Sequence, residues 1–289
     1  MRLRPGEEAA VTTDLSIEGR HFRRDQHPPE SIGHRTLARG LSDLAAMGAR
    51  PVAAFLSLGL PAELTQASRF KTPAWIDRFL DGFMRLADQH KIPLAGGDLA
   101  QAPIALADIV LVGATPRRNA LLRTGAKPGD LLYVTGSLGG SAFGLQLLSS
   151  PNKQSTAKLS AHFWPQPRIA QGLWLRRHAA SAAIDISDGF STDLHHLCEE
   201  SRVSAVIDAA SLPIFPGASL EQALHGGEDY ELIFTAPPGA RIPQSIAGVP
   251  VTRIGLINRS QRMPPRLLLV DSSGSKHQLK PRGWEHFRN

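Results

Sequence analysis

Ile184-Asp185-Ile186-Ser187-Asp188-Gly189-Phe190-Ser191-Thr192-Asp193-Leu194 is the stretch on which the reading of this chain turns. Ala182, Ala183, Ile184 and Ile186 suit a buried strand, while Asp193, Leu194 and Leu197 continue at helical spacing, so a strand end is expected to feed a helix start. Ser187 or Asp188 can cap that helix, and capping alone would account for both. It does not account for Asp185. A charge inside an apolar strand needs a metal, a cation or a hydrogen-bond network to be tolerated. Asp185 and Asp188 are then expected to converge at one mouth.

Around that stretch lies a chain of 289 residues, 42% hydrophobic and 20% charged, long enough for two cores. The formal net charge of +6 fits anionic ligands. The basic residues are nonetheless scattered, as at Arg23-Arg24, Arg117-Arg118 and Arg176-Arg177, which argues against a nucleic-acid partner. A single cysteine, Cys198, permits no disulfide within the chain, and a cytoplasmic, reducing setting is expected. The longest apolar stretch, Ile104–Ala114, is broken by Asp108 and is too short to span a bilayer, so no membrane partner is expected.

Other carboxylates recur at comparable places. Glu8–Thr13 has strand character and runs through Thr12-Thr13 into Asp14, followed by His21. His34–Met47 reads as a helix with Leu37, Leu41 and Leu44 on one stripe and Gly48 as its stop. Asp43 lies off that stripe, where it would pair with Arg39 on the helix surface unless it has a function. Val52–Leu60 reads as a strand, and Thr72-Pro73 opens a helix with Ile76, Phe79, Leu80 and Phe83 on its apolar face. Ile92–Ala95 runs into Gly96-Gly97-Asp98, a short strand whose paired glycines let a ligand or another backbone come close before another carboxylate, unless they form a simple glycine turn.

A domain boundary is expected near Pro116, dividing residues 1–116 from 117–289. Beyond it, Leu131–Thr135 reads as a strand leading into Gly136–Ser141, a tight connection that lacks the Lys-Ser or Lys-Thr of a phosphate loop. Residues 149–160 read as an exposed loop and Ser204–Asp208 as a strand. Gly226-Gly227-Glu228-Asp229-Tyr230-Glu231-Leu232 reads as a glycine turn into another strand, its acids able to grip a cation or a ligand ring. Several aspartates gathered round one site would repel each other without divalent cations, and hard oxygen ligands suit magnesium with phosphates. The combined pattern points to a magnesium-nucleotide site.

Thr12-Thr13-Asp14 with His21-Phe22, Leu41–Ala49, Gly96–Asp98, Arg123–Asp130, Ile184–Gly189 and Gly226–Leu232 together resemble the thiamine-monophosphate kinase family, over nearly the whole chain. The neighbourhood of Asp43 is shared with the synthetases of aminoimidazole ribonucleotide and selenophosphate and with hydrogenase maturation proteins; the Gly-Gly-Glu-Asp-Tyr-Glu-Leu run discriminates better. The resemblance implies an α/β, two-domain aminoimidazole-ribonucleotide-synthetase-like fold, with N-terminal halves joined in a homodimeric barrel and a C-terminal α/β sandwich. It also implies ATP-dependent phosphorylation of thiamine monophosphate to thiamine diphosphate by direct transfer. By the same resemblance Thr12, Thr13, Asp14, Asp43, Asp98, Asp185 and Asp188 serve several Mg2+ ions. Gly97, Asp98, Arg123 and Ser187 match ATP-contacting positions, and His21, Glu228 and Trp284 match substrate-contacting ones. No dedicated acid or base is implied.

Two departures accompany the resemblance. The family begins with a further strand bearing Gly-Asp-Asp, which would precede Met1, and its helix motif reads Asn-Leu-Ser-Asp where this chain has Gly40-Leu41-Ser42-Asp43. The alternatives to an active kinase are a non-catalytic nucleotide-binding relative and another ATP-using enzyme of the superfamily, such as a selenophosphate synthetase-like protein.

Overall fold

The computed structural model describes residues 3–67, 73–150, 156–178, 180–261 and 263–284. Its first half runs β1 (Glu7–Ile17), α1 (Pro29–Ala46), β2 (Arg50–Leu60), α2 (Trp75–Gln89), β3 (Leu94–Gln101) and β4 (Leu106–Pro116). The strands form a mixed sheet in the order β1-β4-β2-β3, in which only β2 and β3 run parallel. Leu37, Leu41 and Leu44 of α1 are fully buried in one core with Ile109 and Leu111 of β4 and with Phe79 and Phe83 of α2. At roughly 1.5–3 kcal/mol for each large apolar side chain, that stripe fixes α1 on one face of the sheet.

Several expectations shift at this level. α1 begins at Pro29, five residues before His34, because proline lacks the N–H that would go unpaired in a first turn and its fixed φ suits that position. α2 begins at Trp75, and the amide of Ala74 donates to Asp77 Oδ2 at 3.2 Å, which leaves Pro73 ahead of the helix; Thr72 lies outside the described residues. Neither Asp14 nor Asp98 ends a strand. β1 continues through Asp14 to Ile17, paired along its whole length with β4, and Gly96-Gly97-Asp98 sits inside β3, paired with Phe55, Leu56 and Ser57.

The second half contains β5 (Leu131–Thr135), α3 (Gly140–Leu148), α4 (Ser160–Phe163), α5 (Ile169–Arg177), β6 (Ala182–Asp185), α6 (Phe190–Glu200), β7 (Val203–Asp208), α7 (Leu220–His225), β8 (Leu232–Ala236), β9 (Ser245–Ile246), β10 (Val249–Arg259), β11 (Leu267–Val270) and β12 (Lys276–Leu279). Its mixed sheet has the order β12-β11-β7-β10-β5-β8-β6, with β9 attached to β10. The expected loop at 149–160 is partly helical, since a 3-10 turn spans Thr156–Leu159 and α4 follows; residues 151–155 lie outside the described residues.

One core belongs to the second half, built from Ile184, Phe190, Leu194 and Ile207 among others. The other runs through both halves and joins Leu41 and Ile109 to Tyr133, Leu175 and Phe234. α1 packs against α5 and β6 as well as against its own sheet. That contact carries the polar side of α1 to the end of β6, where the site forms. Among the described residues no helix is long and apolar enough to cross a membrane.

Candidate active site

Asp185 closes β6, and the chain then crosses Ser187-Asp188-Gly189 into α6. The helix is not capped by Ser187 or Asp188, as the sequence suggested. Gly189 is the N-cap residue, and Asp193 reaches back from the first turn, its Oδ2 accepting the amides of Ser187, Asp188 and Gly189 at 3.0–3.1 Å. Three otherwise orphaned amides are thereby satisfied by one buried carboxylate. Ser187 and Asp188 are left on the wall of a cavity of about 600 Å³.

The Gly226–Leu232 segment lies directly against this turn. Glu228 donates its amide to the Ser187 carbonyl at 2.8 Å, Tyr230 donates to Ile186 at 2.9 Å, and Ile186 donates to Glu231 at 2.8 Å. Gly227 is needed for so close an approach, because a Cβ there would meet the Ser187 oxygen at 2.6 Å. Glu228 and Tyr230 hold left-handed φ values of 64° and 51°, a strain of order 1–3 kcal/mol each that the surrounding bonds must over-determine. Asp229 turns away to α3. Its carboxylate accepts the amides of Gly139 and Ser141 at the start of α3, which also occupies the amides of the weak phosphate-loop candidate.

One wing of the cavity is acidic. Asp14 of β1, Asp43 of α1 and Asp185 all line it; Thr12 donates to Asp43, and Ser42 donates to Asp185 at 2.6 Å. Burial raises the pKa of all three, Asp185 to about 7, with the Asp43 charge adding to the shift at Asp185 and the Asp14 charge to that at Asp43. Arg39 does not pair with Asp43. Its Nη2 lies 2.7 Å from Asp14 Oδ1, across to β1 rather than along the helix.

The other wing is organised round Glu228, whose two carboxylate oxygens accept from Arg35 Nη2 at 2.8 and 2.7 Å. Burial pushes the Glu228 pKa up, but Arg35 and Arg39 more than offset it and hold the carboxyl below its ordinary value. His21 accepts the Ile17 amide at Nδ1, 3.0 Å away, which fixes its ring at the wall. His27 and His162 meet at 3.0 Å through their Nε2 atoms, and Ser141 bonds His162 Nδ1 at 2.9 Å. Burial, then the Arg35 charge, lowers both pKa values, that of His27 to about 4, so the pair is neutral near pH 7. Trp284, half exposed, stands at the mouth, its amide donating to the Asp188 carbonyl at 2.9 Å.

The fold thus gathers Asp14, Asp43, Asp185, Ser187, Asp188, His21, Glu228 and Trp284 on one cavity, with Thr12 behind Asp43. Arg123 is outside the lining, yet its charge acts on both Asp43 and Asp185. Thr13 lies on the opposite face of β1 from Thr12 and Asp14, its hydroxyl 3.5 Å from Asp108. Gly97 and Asp98 are on β3, the opposite edge of the sheet from β1, three strand spacings or roughly 14 Å away. Arg35, His27, His162, Ser141 and Asp193 are the functional surroundings that sequence reasoning missed. A signal existed for the first: Arg35, Arg39 and Asp43 recur every four residues, a polar stripe on a helix whose other faces are buried.

The comparisons with known proteins follow the same outline. Residues 1–115 match the AIR synthase related protein N-terminal domain and residues 127–263 its C-terminal domain, which sets the class of the two-domain α/β fold. The thiamine-monophosphate kinase of Escherichia coli O157:H7 is 38% identical over 96% of this chain and 86% of its own length. The crystal structure of that enzyme from Stenotrophomonas maltophilia K279a matches with a TM-score of 0.80 at 36% identity, over 96% of this chain and 89% of the other. AaThiL complexed with AMPPCP and TMP matches with a TM-score of 0.84 at 31% identity, over 99% and 89%. The hydrogenase maturation protein HypE shares the fold at 15% identity. This chain belongs to the thiamine-monophosphate kinase family.

Proposed function

We propose that this cavity transfers the terminal phosphoryl group of ATP directly to thiamine monophosphate, giving thiamine diphosphate. The observation that carries the reading is the meeting in one cavity of an acidic wing, Asp14, Asp43 and Asp185, with a wing that holds an ionised carboxylate and an aromatic face, Glu228 and Trp284. In-line phosphoryl transfer needs little covalent help from protein; positioning and charge neutralisation can carry it.

The acidic wing fits magnesium by its donor chemistry. Its carboxylates are hard oxygen ligands whose raised pKa values record desolvation and mutual repulsion. Asp14, Asp43, Asp185 and Asp188, with Thr12 behind Asp43, would hold ions in this wing, while Thr13 and Asp98, on the opposite face of the sheet, would hold one only between two copies. Bound magnesium would neutralise the phosphate charge that develops during transfer. Asp43 and Asp185 are kept in place by the Thr12 and Ser42 hydroxyls. Ser187, Arg123, Gly97 and Asp98 take the nucleotide. Glu228, held ionised by Arg35, faces the cationic thiazolium; His21 and Trp284 complete the substrate wall.

Gly97 and Asp98 enter this reading through a homodimer. Val11 and Leu15, on the face of β1 opposite Thr12 and Asp14, are 60% and 44% exposed. In an eight-stranded barrel of two copies, β3 of one copy would lie beside β1 of the other, with Asp98, in register with Ser57, Asp108 and Leu15, on the same face as Thr13. The same reading divides the chain into domains at 1–116 and 117–289 and places it in the cytoplasm, to which the lone, buried Cys198 is suited. The purified chain, incubated with ATP, magnesium and thiamine monophosphate, is expected to form thiamine diphosphate and ADP in equal amounts. ATP binding without either product would remove the kinase reading.

A further inference from the structure

Arg39 stands where the two wings meet. Its Nη2 contacts Asp14 Oδ1 at 2.7 Å, its side chain is 14% exposed, and it lines the same cavity as Asp43 and Glu228. Burial works against its charge, and Tyr230, Asp14 and Glu228 more than offset that. Nε is buried and without a hydrogen-bond partner among the described residues, so the guanidinium is only partly satisfied by the ion pair.

A carboxylate oxygen in contact with a guanidinium cannot present the same lone pairs to a metal ion, and two cations sharing that carboxylate repel each other. We propose that Arg39 is a resident cation of the acidic wing, occupying at Asp14 the position that a divalent ion would otherwise take, so that an ion binds there only as the guanidinium leaves. The proposal rests on the reading of these carboxylates as divalent-ion ligands. It also gives the ion-free protein a means of tolerating Asp14 beside Asp43, since a buried carboxylate without a counter-charge is costly. Arginine suits the role better than lysine, because its charge persists at any working pH and its planar fork keeps contact with a carboxylate at little further loss of freedom.

Manganese titrated calorimetrically into the full-length chain, without nucleotide, tests this on wild type, Arg39→Met, Arg39→Gln, Arg39→Lys and the double variant Arg39→Met/Asp14→Asn, with a melting temperature for each. Both neutral variants are expected to bind manganese at least about tenfold more tightly than wild type, since one adjacent positive charge is gone. Arg39→Lys should stay near wild type, and Asp14→Asn should abolish the gain. Glutamine keeps a polar partner for Asp14, so Arg39→Gln reports even where methionine leaves the chain unfolded. Affinity in the folded neutral variants equal to or below that of wild type overturns the proposal while leaving the metal reading intact. Manganese binding by no variant, with or without ATP, removes both.

Discussion

Two carboxylate groups share one cavity and have been treated in opposite ways. Asp43 and Asp185 line the same cavity with hydroxyl partners and no ion pair among the described residues, and their pKa values are raised by burial and by neighbouring negative charge. Glu228 is clamped by a buried arginine and its pKa is lowered. The first group is electrostatically unfinished, and on the proposed reading it would gain from a cation delivered from outside. The second is complete in the folded chain, with its charge already stated and aimed. A kinase whose acceptor carries a cationic ring and whose donor is an anionic nucleotide has use for both.

Neutralising one carboxylate in each wing should therefore separate activity from stability. Asp43→Asn is expected to reduce phosphoryl transfer by roughly 10²–10³-fold or more, as removal of a group that stabilises transition-state charge does. Its melting temperature should hold or rise, because a repulsion is removed. Turnover at saturating magnesium and a thermal melt on the same sample check this. A melting temperature lowered as far as that of a Glu228 variant would erase the distinction between the wings.

Glu228→Gln, by contrast, should cost both. It leaves the Arg35 charge buried without its counter-ion, a loss on the order of 3 kcal/mol. The kcat/KM for thiamine monophosphate should fall about ten- to a hundredfold while the affinity for magnesium-ATP changes little. Equal losses in the two substrates would mean that Glu228 holds the fold rather than the ligand.

A smaller effect concerns the histidines beside Arg35. His27 is pushed from 6.5 down to about 4 by burial, then by Arg35; the hydrogen bond to the Arg23 carbonyl and the Glu228 charge oppose them. Between those two pH values the unfolded chain binds more protons at this site than the folded chain, so stability rises with pH there and is lost as pH falls from about 6.5 toward 4. The contribution is about 3 kcal/mol at most. His27→Gln, neutral throughout, should flatten the acid limb of the melting curve, and an unchanged limb would place its origin elsewhere.

How far the sequence revealed these wings depends on the range of the interactions. β5 lies where its apolar run predicts, at Leu131–Thr135, and α1 buries the leucine stripe read from its spacing. Both follow from local periodicity. The two Gly-Gly-acid runs look alike as sequence and end differently: Gly96-Gly97-Asp98 continues an edge strand, whereas Gly226-Gly227-Glu228 turns tightly onto Ser187. What separates them is the neighbour, Leu56 in one case and the β6–α6 turn in the other, which local spacing does not record. Arg35 escaped for the same reason, its partner being 193 residues away. Asp193 escaped because a carboxylate in a first turn ordinarily reads as a mild dipole preference, not as the acceptor of three amides.

The smallest expected effect comes from Trp284, at the rim where the wings meet, and a neighbouring residue separates its two possible contributions. The tail is anchored through its backbone: Gly283 donates to Thr192 Oγ1 at 2.9 Å and Trp284 to the Asp188 carbonyl at 2.9 Å. The indole itself is 48% exposed, so its removal costs little burial. Trp284→Ala should then raise the KM for thiamine monophosphate a few-fold, in line with the ~0.5–2 kcal/mol of a cation facing an aromatic ring, and leave kcat and melting temperature almost unchanged. Gly283→Ala attacks the anchor instead. Its Cβ would meet the Asp188 oxygen at 2.2 Å and Thr192 Oγ1 at 2.6 Å, so either the tail or the Ser187-Asp188 turn must shift. That variant should lower kcat as well, if Asp188 is among the ion ligands proposed above. If Trp284→Ala instead lowers the melting temperature and kcat together, the indole secures the turn, and the rim belongs with the acidic wing rather than with Glu228.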